Sequence, residues 1–128
     1  MKLWIDDIRN APDESWTVAR SVDSAISFIS QFGEELTEIS IDHDISHQVA
    51  MGERSSPYPC AETFTAVARY MSAYYGSLMP NRPGFTRPKV TVHSSNQMGA
   101  KNIEYILRDF PDVTYKPYGP ANRLEQTI

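Results

Sequence analysis

Short runs rich in apolar and β-branched residues alternate along this chain with longer stretches in which apolar residues recur at helical spacing. The short runs are bounded by turn residues, a pattern typical of strands, and the longer stretches have the one-sided pattern of surface helices. The predicted strands cover residues 2–6, 16–19, 37–42, 89–93 and 113–115. The predicted helices carry apolar stripes that run from Val22 to Phe32, from Phe64 to Tyr75 and from Ala100 to Phe110.

Small polar residues and glycines mark where these helices are expected to begin and end. Ser21 or Asp23 is expected to cap the first helix, and Ser95 or Asn96 the third. Gly76 is expected to end the second helix.

The order of the elements, strand–strand–helix–strand–helix–strand–helix–strand, predicts a mostly parallel sheet with helices on its faces. Residues 7–15, between the first two strands, include Pro12 and are too few for a crossover helix. About nine extended residues still span roughly 30 Å, so a parallel and an antiparallel second strand both remain open. We expect one domain over residues 1–128, with a loop at 45–59 over the functional site and an irregular tail at 117–128.

The composition says more about the cellular location of the protein than about its activity. A length of 128 residues suits a single domain, and a net charge of -4 argues against a broad surface for duplex DNA or a membrane. The single Cys60 cannot form an internal disulfide, no apolar run approaches the ~20 residues that span a bilayer, and Asp6 comes too early for a signal peptide. These features predict a cytoplasmic protein and leave its oligomeric state open.

Acidic residues stand at the ends of two predicted strands, as Asp6-Asp7 and as Asp42 before His43-Asp44. In an open parallel sheet such strand ends lie on one rim, where α/β proteins bind ligands. Carboxylates gathered there repel one another unless a cation or a shared proton intervenes. Asp6, Asp7 and Asp42 are therefore predicted to hold Mg2+ or Mn2+, which prefer oxygen ligands. The alternative for Asp7 is to cap a solvated turn.

Two histidines lie at strand ends on the same rim, His43 directly after the third predicted strand and His93 as the last residue of the fourth. Imidazoles titrate near neutral pH, so this pair is predicted to act as general acid and general base. Asp44 can orient His43 by accepting a ring N–H, which fixes the tautomer. The alternative is that Asp44 caps a short turn while His43 packs against the sheet.

Candidate phosphate ligands lie beside these histidines. Ser94 and Ser95 precede the third predicted helix, whose exposed amides attract phosphate, and Gly99 permits a close approach. Lys116, at the end of the fifth strand, can neutralise a phosphate oxygen. The alternative is that Ser95 or Asn96 only caps the helix.

From Met1 to Pro117 the chain resembles a receiver domain of two-component signalling. The matching positions are Asp6-Asp7 for the metal-binding acidic pair, Asp42 for the phospho-acceptor, Ser94 for the hydroxyl residue and Lys116-Pro117 for the final lysine–proline pair. The resemblance implies a flavodoxin-like, receiver-like three-layer sandwich around a mostly parallel five-stranded sheet, here lacking the first and final receiver helices.

Two departures narrow the resemblance, because His43-Asp44 and His93 stand where receivers usually carry apolar residues. In this the chain is similar to the divergent cyclic-phosphate-processing receiver-like family, whose pattern is an acidic pair, an Asp-His-Asp and a His-Ser. Those motifs are present here as Asp6-Asp7, Asp42-His43-Asp44 and His93-Ser94. The similarity implies an enzymatic role on cyclic phosphates of nucleotides or RNA.

The leading expectation is a metal-assisted phosphodiesterase that hydrolyses a cyclic phosphate of a nucleotide or an RNA end. The runner-up is a stand-alone receiver whose Asp42 accepts a phosphoryl group, which leaves both histidines without a role. A non-catalytic module that binds a nucleotide or a protein is the third hypothesis.

Overall fold

The computed structural model describes residues 1–45 and 63–117. Most of the loop predicted at 45–59, and all of the tail predicted at 117–128 except its first residue, lie outside this range. Within it, no helix is both long and apolar enough to cross a bilayer. The strands are β1 (Lys2–Ile5), β2 (Trp16–Ala19), β3 (Glu38–Ile41), β4 (Lys89–Ser94) and β5 (Val113–Pro117), and the helices are α1 (Val22–Phe32), α2 (Thr65–Leu78) and α3 (Gln97–Ile106), with single 3-10 turns at Gly33–Glu35 and Met79–Asn81.

The five strands form one parallel sheet in the order β2-β1-β3-β4-β5. The short link after β1 therefore returns the chain to a parallel β2, with Lys2 opposite Trp16, and the antiparallel alternative is wrong. The predicted receiver-like, flavodoxin-like fold is confirmed. No helix lies between β1 and β2, as predicted.

The helices of the described residues share one face of the sheet. Each crossover that carries a helix runs in the same direction across the sheet, and right-handed crossovers then put their helices on the same side. Ala25 of α1, Met71 of α2 and Ile103 of α3 accordingly share one apolar core with Leu3 and Ile39 of the sheet. The described residues thus supply the sheet and one of the predicted helical layers, because the first helix of a receiver is missing.

Local signals place most helix ends. Ser21 caps α1 in a capping box with Ser24, and Asn96 caps α3 by accepting the N–H of Gly99. Gly76 does not end α2, which continues to Leu78. A glycine inside a helix costs only about 1 kcal/mol relative to alanine, which tertiary packing of a 14-residue helix overrides.

Candidate active site

The carboxyl ends of β1 and β3 bring three carboxylates together. The backbone N–H of Asp42 donates to the carbonyl of Ile5 at 2.9 Å, so the segments that follow β1 and β3 leave the sheet side by side. One oxygen each of Asp6, Asp7 and Asp42 lies within 4.8 Å of the others. Asp6 and Asp42 are buried, at 0% and 2% exposure. The cluster predicted from the strand ends is present.

The carboxylate of Asp6 is saturated with hydrogen bonds. Oδ1 accepts the backbone N–H groups of Ile8 and Arg9, each at 2.9 Å, in a turn of the kind that aspartate favours. Oδ2 accepts Nε2–H of His93 at 2.9 Å and Nη1 of Arg9 at 3.2 Å. Burial acts to raise the pKa of Asp6, but the bonds from His93 and from the two backbone amides outweigh it and lower the pKa. Asp6 is therefore ionised at neutral pH.

His93 lies beneath the carboxylates, away from solvent. It is 0% exposed, its Nδ1 is 2.7 Å from Oγ of Ser40, and its ring stacks on Trp4 at 3.9 Å between centroids. An ionised Asp6 can only accept, so Nε2 of His93 carries the hydrogen and Nδ1 accepts the hydroxyl of Ser40. Burial lowers the pKa of His93, which keeps the ring neutral.

This geometry corrects the role predicted for His93. A general acid or base must reach the proton that it transfers, and both nitrogens of His93 already bond to Asp6 and Ser40 inside the protein. The ring is instead placed to orient Asp6.

Arg9, which the sequence did not single out, joins two of the carboxylates. Its Nη1 lies 3.0 Å from Oδ2 of Asp42 and 3.2 Å from Oδ2 of Asp6, and the residue is 3% exposed. Its carbonyl accepts Nε1–H of Trp4 at 3.0 Å and Nη1 of Arg20 at 2.7 Å, which fixes the main chain of the turn. The only signal in the sequence is an arginine three residues after Asp6.

Asp42 lies between the carboxylate cluster and a second hydrogen-bond network, which is centred on His43. Burial and the neighbouring charge of Asp6 raise the pKa of Asp42 to about 7, although Arg9 and bonds from His43 and Ser94 act to lower it. Its Oδ1 accepts the backbone N–H of His43 at 2.7 Å. A cation beside Asp42 would favour the ionised form that burial disfavours.

The second network orients His43. Nδ1 of His43 is 2.6 Å from Oδ1 of Asp44, and Nδ2 of Asn96 donates to the same oxygen at 3.1 Å. Nδ1 therefore carries the hydrogen, and Nε2 is the nitrogen that accepts a proton. The side chains of His43 and Asp44 are 13% and 42% exposed, so this pair lies nearer to solvent than His93 does.

The missing side chain of Gly99 makes room for the ring of His43. A Cβ built on Gly99 would collide with Cγ and Nδ1 of that ring. The N–H of Gly99 is bonded to Oδ1 of the helix cap Asn96 at 2.9 Å. The expected role of Gly99 in admitting a phosphate is wrong, because the imidazole of His43 fills that space.

We expect Gly99→Ala to lower by at least about tenfold the rate of any reaction in which His43 transfers the proton, while leaving the protein folded, because a displacement of about 1 Å at a catalytic group can cost a hundredfold. Alanine suits a helix and Gly99 follows the cap of α3, so the methyl group should push the ring of His43 away from Asp44 rather than unfold the helix. The check is kcat together with the 1H–15N imidazole spectrum. Gly76→Ala, where a Cβ has nothing within 4 Å, is the matched control. Unchanged kcat and an unchanged His43 signal would contradict this geometry.

The predicted phosphate ligands divide between the interior and the surface. Ser94 is 0% exposed, its Oγ accepts the N–H of Asn96 at 3.0 Å, and its carbonyl accepts the hydroxyl of Tyr115 at 3.1 Å. Ser95 and Lys116 are exposed. Lys116 is paired with His93 in the sheet register.

A parallel sheet with an acidic cluster at the carboxyl end of β1 and β3 defines a receiver-like α/β domain, here with an oriented imidazole added. The chain belongs to the cyclic-phosphate processing receiver domain family, whose model matches residues 1–109. Neither a curated protein nor a solved structure matches the chain significantly.

Proposed function

We propose that this protein is a metal-assisted phosphodiesterase that hydrolyses a cyclic phosphate of a nucleotide or of an RNA end. One observation carries the proposal: the cluster of three carboxylates adjoins His43, whose backbone N–H bonds to Asp42 and whose imidazole is oriented by Asp44. Membership in a family of cyclic-phosphate processing domains supports the choice of substrate.

The residues at the strand ends fit a hard divalent cation. Three carboxylate oxygens lie within 4.8 Å of one another, and oxygen donors suit Mg2+ or Mn2+. Asp6, Asp7 and Asp42 would hold the ion. When bound, the ion would polarise the phosphoryl oxygens and stabilise the leaving oxygen.

His43 supplies the proton transfers in this proposal. Its Nε2 accepts a proton from the water whose oxygen forms the new bond to phosphorus. As one ring P–O bond breaks, the departing oxygen on the far side of phosphorus takes a proton from solvent and His43 returns its own proton to solvent, so water is consumed and a phosphate monoester results. Asp44 and Asn96 hold the ring in the tautomer that makes this exchange feasible.

The remaining predicted residues support this centre. His93 holds Asp6 from below, and Ser94 holds Asp42 and the start of α3. The exposed Ser95 and Lys116 remain candidates for direct contact with the phosphate, Lys116 as a point charge.

Incubation with 2',3'-cyclic mononucleotides and either Mg2+ or Mn2+ tests the proposal directly. We expect multiple turnovers to a nucleoside monophosphate, abolished by a chelator and by Asp42→Asn, which keeps the shape of the side chain but removes its charge. When the reaction is run in H2-18O, the product should carry one labelled oxygen on phosphorus. Binding of the intact cyclic nucleotide without turnover under either metal would refute the proposal and favour a non-catalytic module.

The second candidate function, a phospho-acceptor receiver, has one observation in its favour. The carboxylate of Asp42 lies beside Asp6 and Asp7 and near Ser94, as it would in a receiver. Acetyl phosphate with Mg2+ should then add one phosphoryl mass that is lost in Asp42→Asn. This function gives the oriented pair of His43 and Asp44 no task, so we rank it second.

A further inference from the structure

The Asp6 carboxylate has no unused position for a metal ion in the described arrangement. An ionised carboxylate offers about four acceptor positions. Two are taken by the backbone N–H groups of Ile8 and Arg9, one by His93 and one by the guanidinium of Arg9. A cation can coordinate Asp6 only if one of these donors leaves.

Of these donors, the guanidinium of Arg9 is the one that can leave without rearranging the fold. The backbone amides are fixed by the turn, and His93 is held by Ser40 and by stacking on Trp4. The Arg9 side chain has several rotatable bonds, and its 3.2 Å bond to Asp6 is the longest of the four. The main chain of Arg9 is secured separately through its carbonyl, so the side chain can move while the turn stays intact.

We propose that Arg9 is an exchangeable counter-cation: its guanidinium neutralises Asp6 and Asp42 until a divalent cation displaces it, and it then binds the phosphate of the substrate. The inference rests on the proposed function for the identity of that phosphate. Arg9 is 3% exposed before its guanidinium is displaced, and a charge left without a partner inside a protein is costly. A phosphate bound to the same metal ion is the nearest anion with which the displaced guanidinium can pair.

This exchange makes metal and phosphate binding cooperative. The metal frees the guanidinium for the phosphate, and the phosphate gives the displaced guanidinium a partner. By linkage, each ligand must tighten the binding of the other by the same factor. Arg9 therefore lowers the affinity for a cation alone and raises it when phosphate is present.

Titration calorimetry of Mn2+ into the metal-free full-length protein, without nucleotide, tests the first half. We expect Arg9→Gln to bind Mn2+ at least about tenfold more tightly than the wild type, because it removes a competing charge from the coordinating oxygens. Arg82→Gln is the matched control: it makes the same change in net charge at an exposed arginine that pairs with Glu34 at 2.8 Å. We expect it to change Mn2+ affinity by less than about twofold. An Arg9→Gln protein that binds Mn2+ no more tightly than the wild type overturns the proposal.

Inorganic phosphate as a second ligand tests the other half. In the wild type, saturating phosphate should tighten Mn2+ binding at least about fivefold, within the usual range of coupling between sites. That coupling should vanish in Arg9→Gln and persist in Arg82→Gln. Equal coupling in Arg9→Gln and the wild type overturns the role of Arg9 in holding phosphate.

The wild-type protein gives a second measurement that does not depend on how well the variants fold. Diamagnetic Mg2+ should shift the guanidinium NMR signal of Arg9, and added phosphate should shift it again, while the signal of Arg82 stays constant. An Arg9 signal that does not respond to saturating Mg2+ overturns the exchange. None of these readouts needs turnover, so a protein that shows the exchange but hydrolyses no cyclic nucleotide refutes the proposed function alone.

Discussion

Replacing His43 with alanine is expected to lower kcat for the proposed cyclic-phosphate hydrolysis by about a hundredfold to ten-thousandfold, the range that a general acid–base group contributes. The reason is that His43 is the imidazole held by a carboxylate with its second nitrogen available for proton transfer. The measurement is single-turnover hydrolysis of a 2',3'-cyclic nucleotide under saturating Mn2+.

Two comparisons make this result specific to proton transfer. Mn2+ affinity should stay within about threefold of the wild type, since the side chain of His43 is not among the metal ligands. Added imidazole should restore part of the lost rate, because the substitution leaves a hollow against Gly99 where the ring was. A variant that retains the wild-type kcat, or one that imidazole does not rescue although Mn2+ still binds, would count against His43 as the proton carrier.

Asp6→Asn is expected to cost about 3–5 kcal/mol of unfolding free energy in the metal-free protein, the usual result of breaking a buried ion pair from one side. If the amide oxygen of the new side chain keeps the two backbone N–H bonds, its NH2 group faces Nε2–H of His93 and the guanidinium of Arg9. Donors would then oppose donors without access to water. Urea unfolding at neutral pH, with a chelator present, measures the loss.

Asp42→Asn is the matched comparison, and the direction of its effect differs. The pKa of Asp42 is raised from the usual 3.8 to about 7, by burial first and then by the charge of Asp6. A raised carboxyl pKa contributes stability that is fully present below 3.8 and is lost as the pH rises through about 7. The metal-free wild type should therefore become less stable from about pH 4 to about pH 7, whereas Asp42→Asn should lack this decline and lose under about 1 kcal/mol at pH 8. Equal destabilisation by the two substitutions would show that Asp6 has no special place in the network.

The order of the elements along the chain and the convergence of acidic residues could be predicted because both depend on local patterns. Apolar runs that end in Asp6-Asp7 and Asp42 identify strand ends, and parallel strands carry those ends to one rim. Ser21 and Asn96 could be named as caps because capping depends on residues only three positions apart.

The sequence did not reveal what lies between the carboxylates, because those contacts join distant parts of the chain. Ser40 and His93 are separated by 53 positions, and Asp6 and His93 by 87. Arg9 also escaped notice, since an arginine soon after a strand is usually solvated and only the burial of its side chain reveals its role.

The two histidines illustrate the same limit. Sequence position puts both at strand ends, but strand alternation sends His93 to the face that carries Trp4 and Ser40. His43 instead contacts Gly99 at the start of α3, on the face that carries the helices. Only packing shows that one imidazole is buried as a hydrogen-bond donor and the other lies near solvent.

The most direct test of the account is an anomalous difference map from crystals soaked with Mn2+ and a non-hydrolysed phosphate monoester. We expect one strong peak coordinated by carboxylate oxygens of Asp6, Asp7 and Asp42, with the phosphate next to it and Nε2 of His43 directed at that phosphate. A peak elsewhere, or a phosphate on the far side of the cluster from His43, would contradict it.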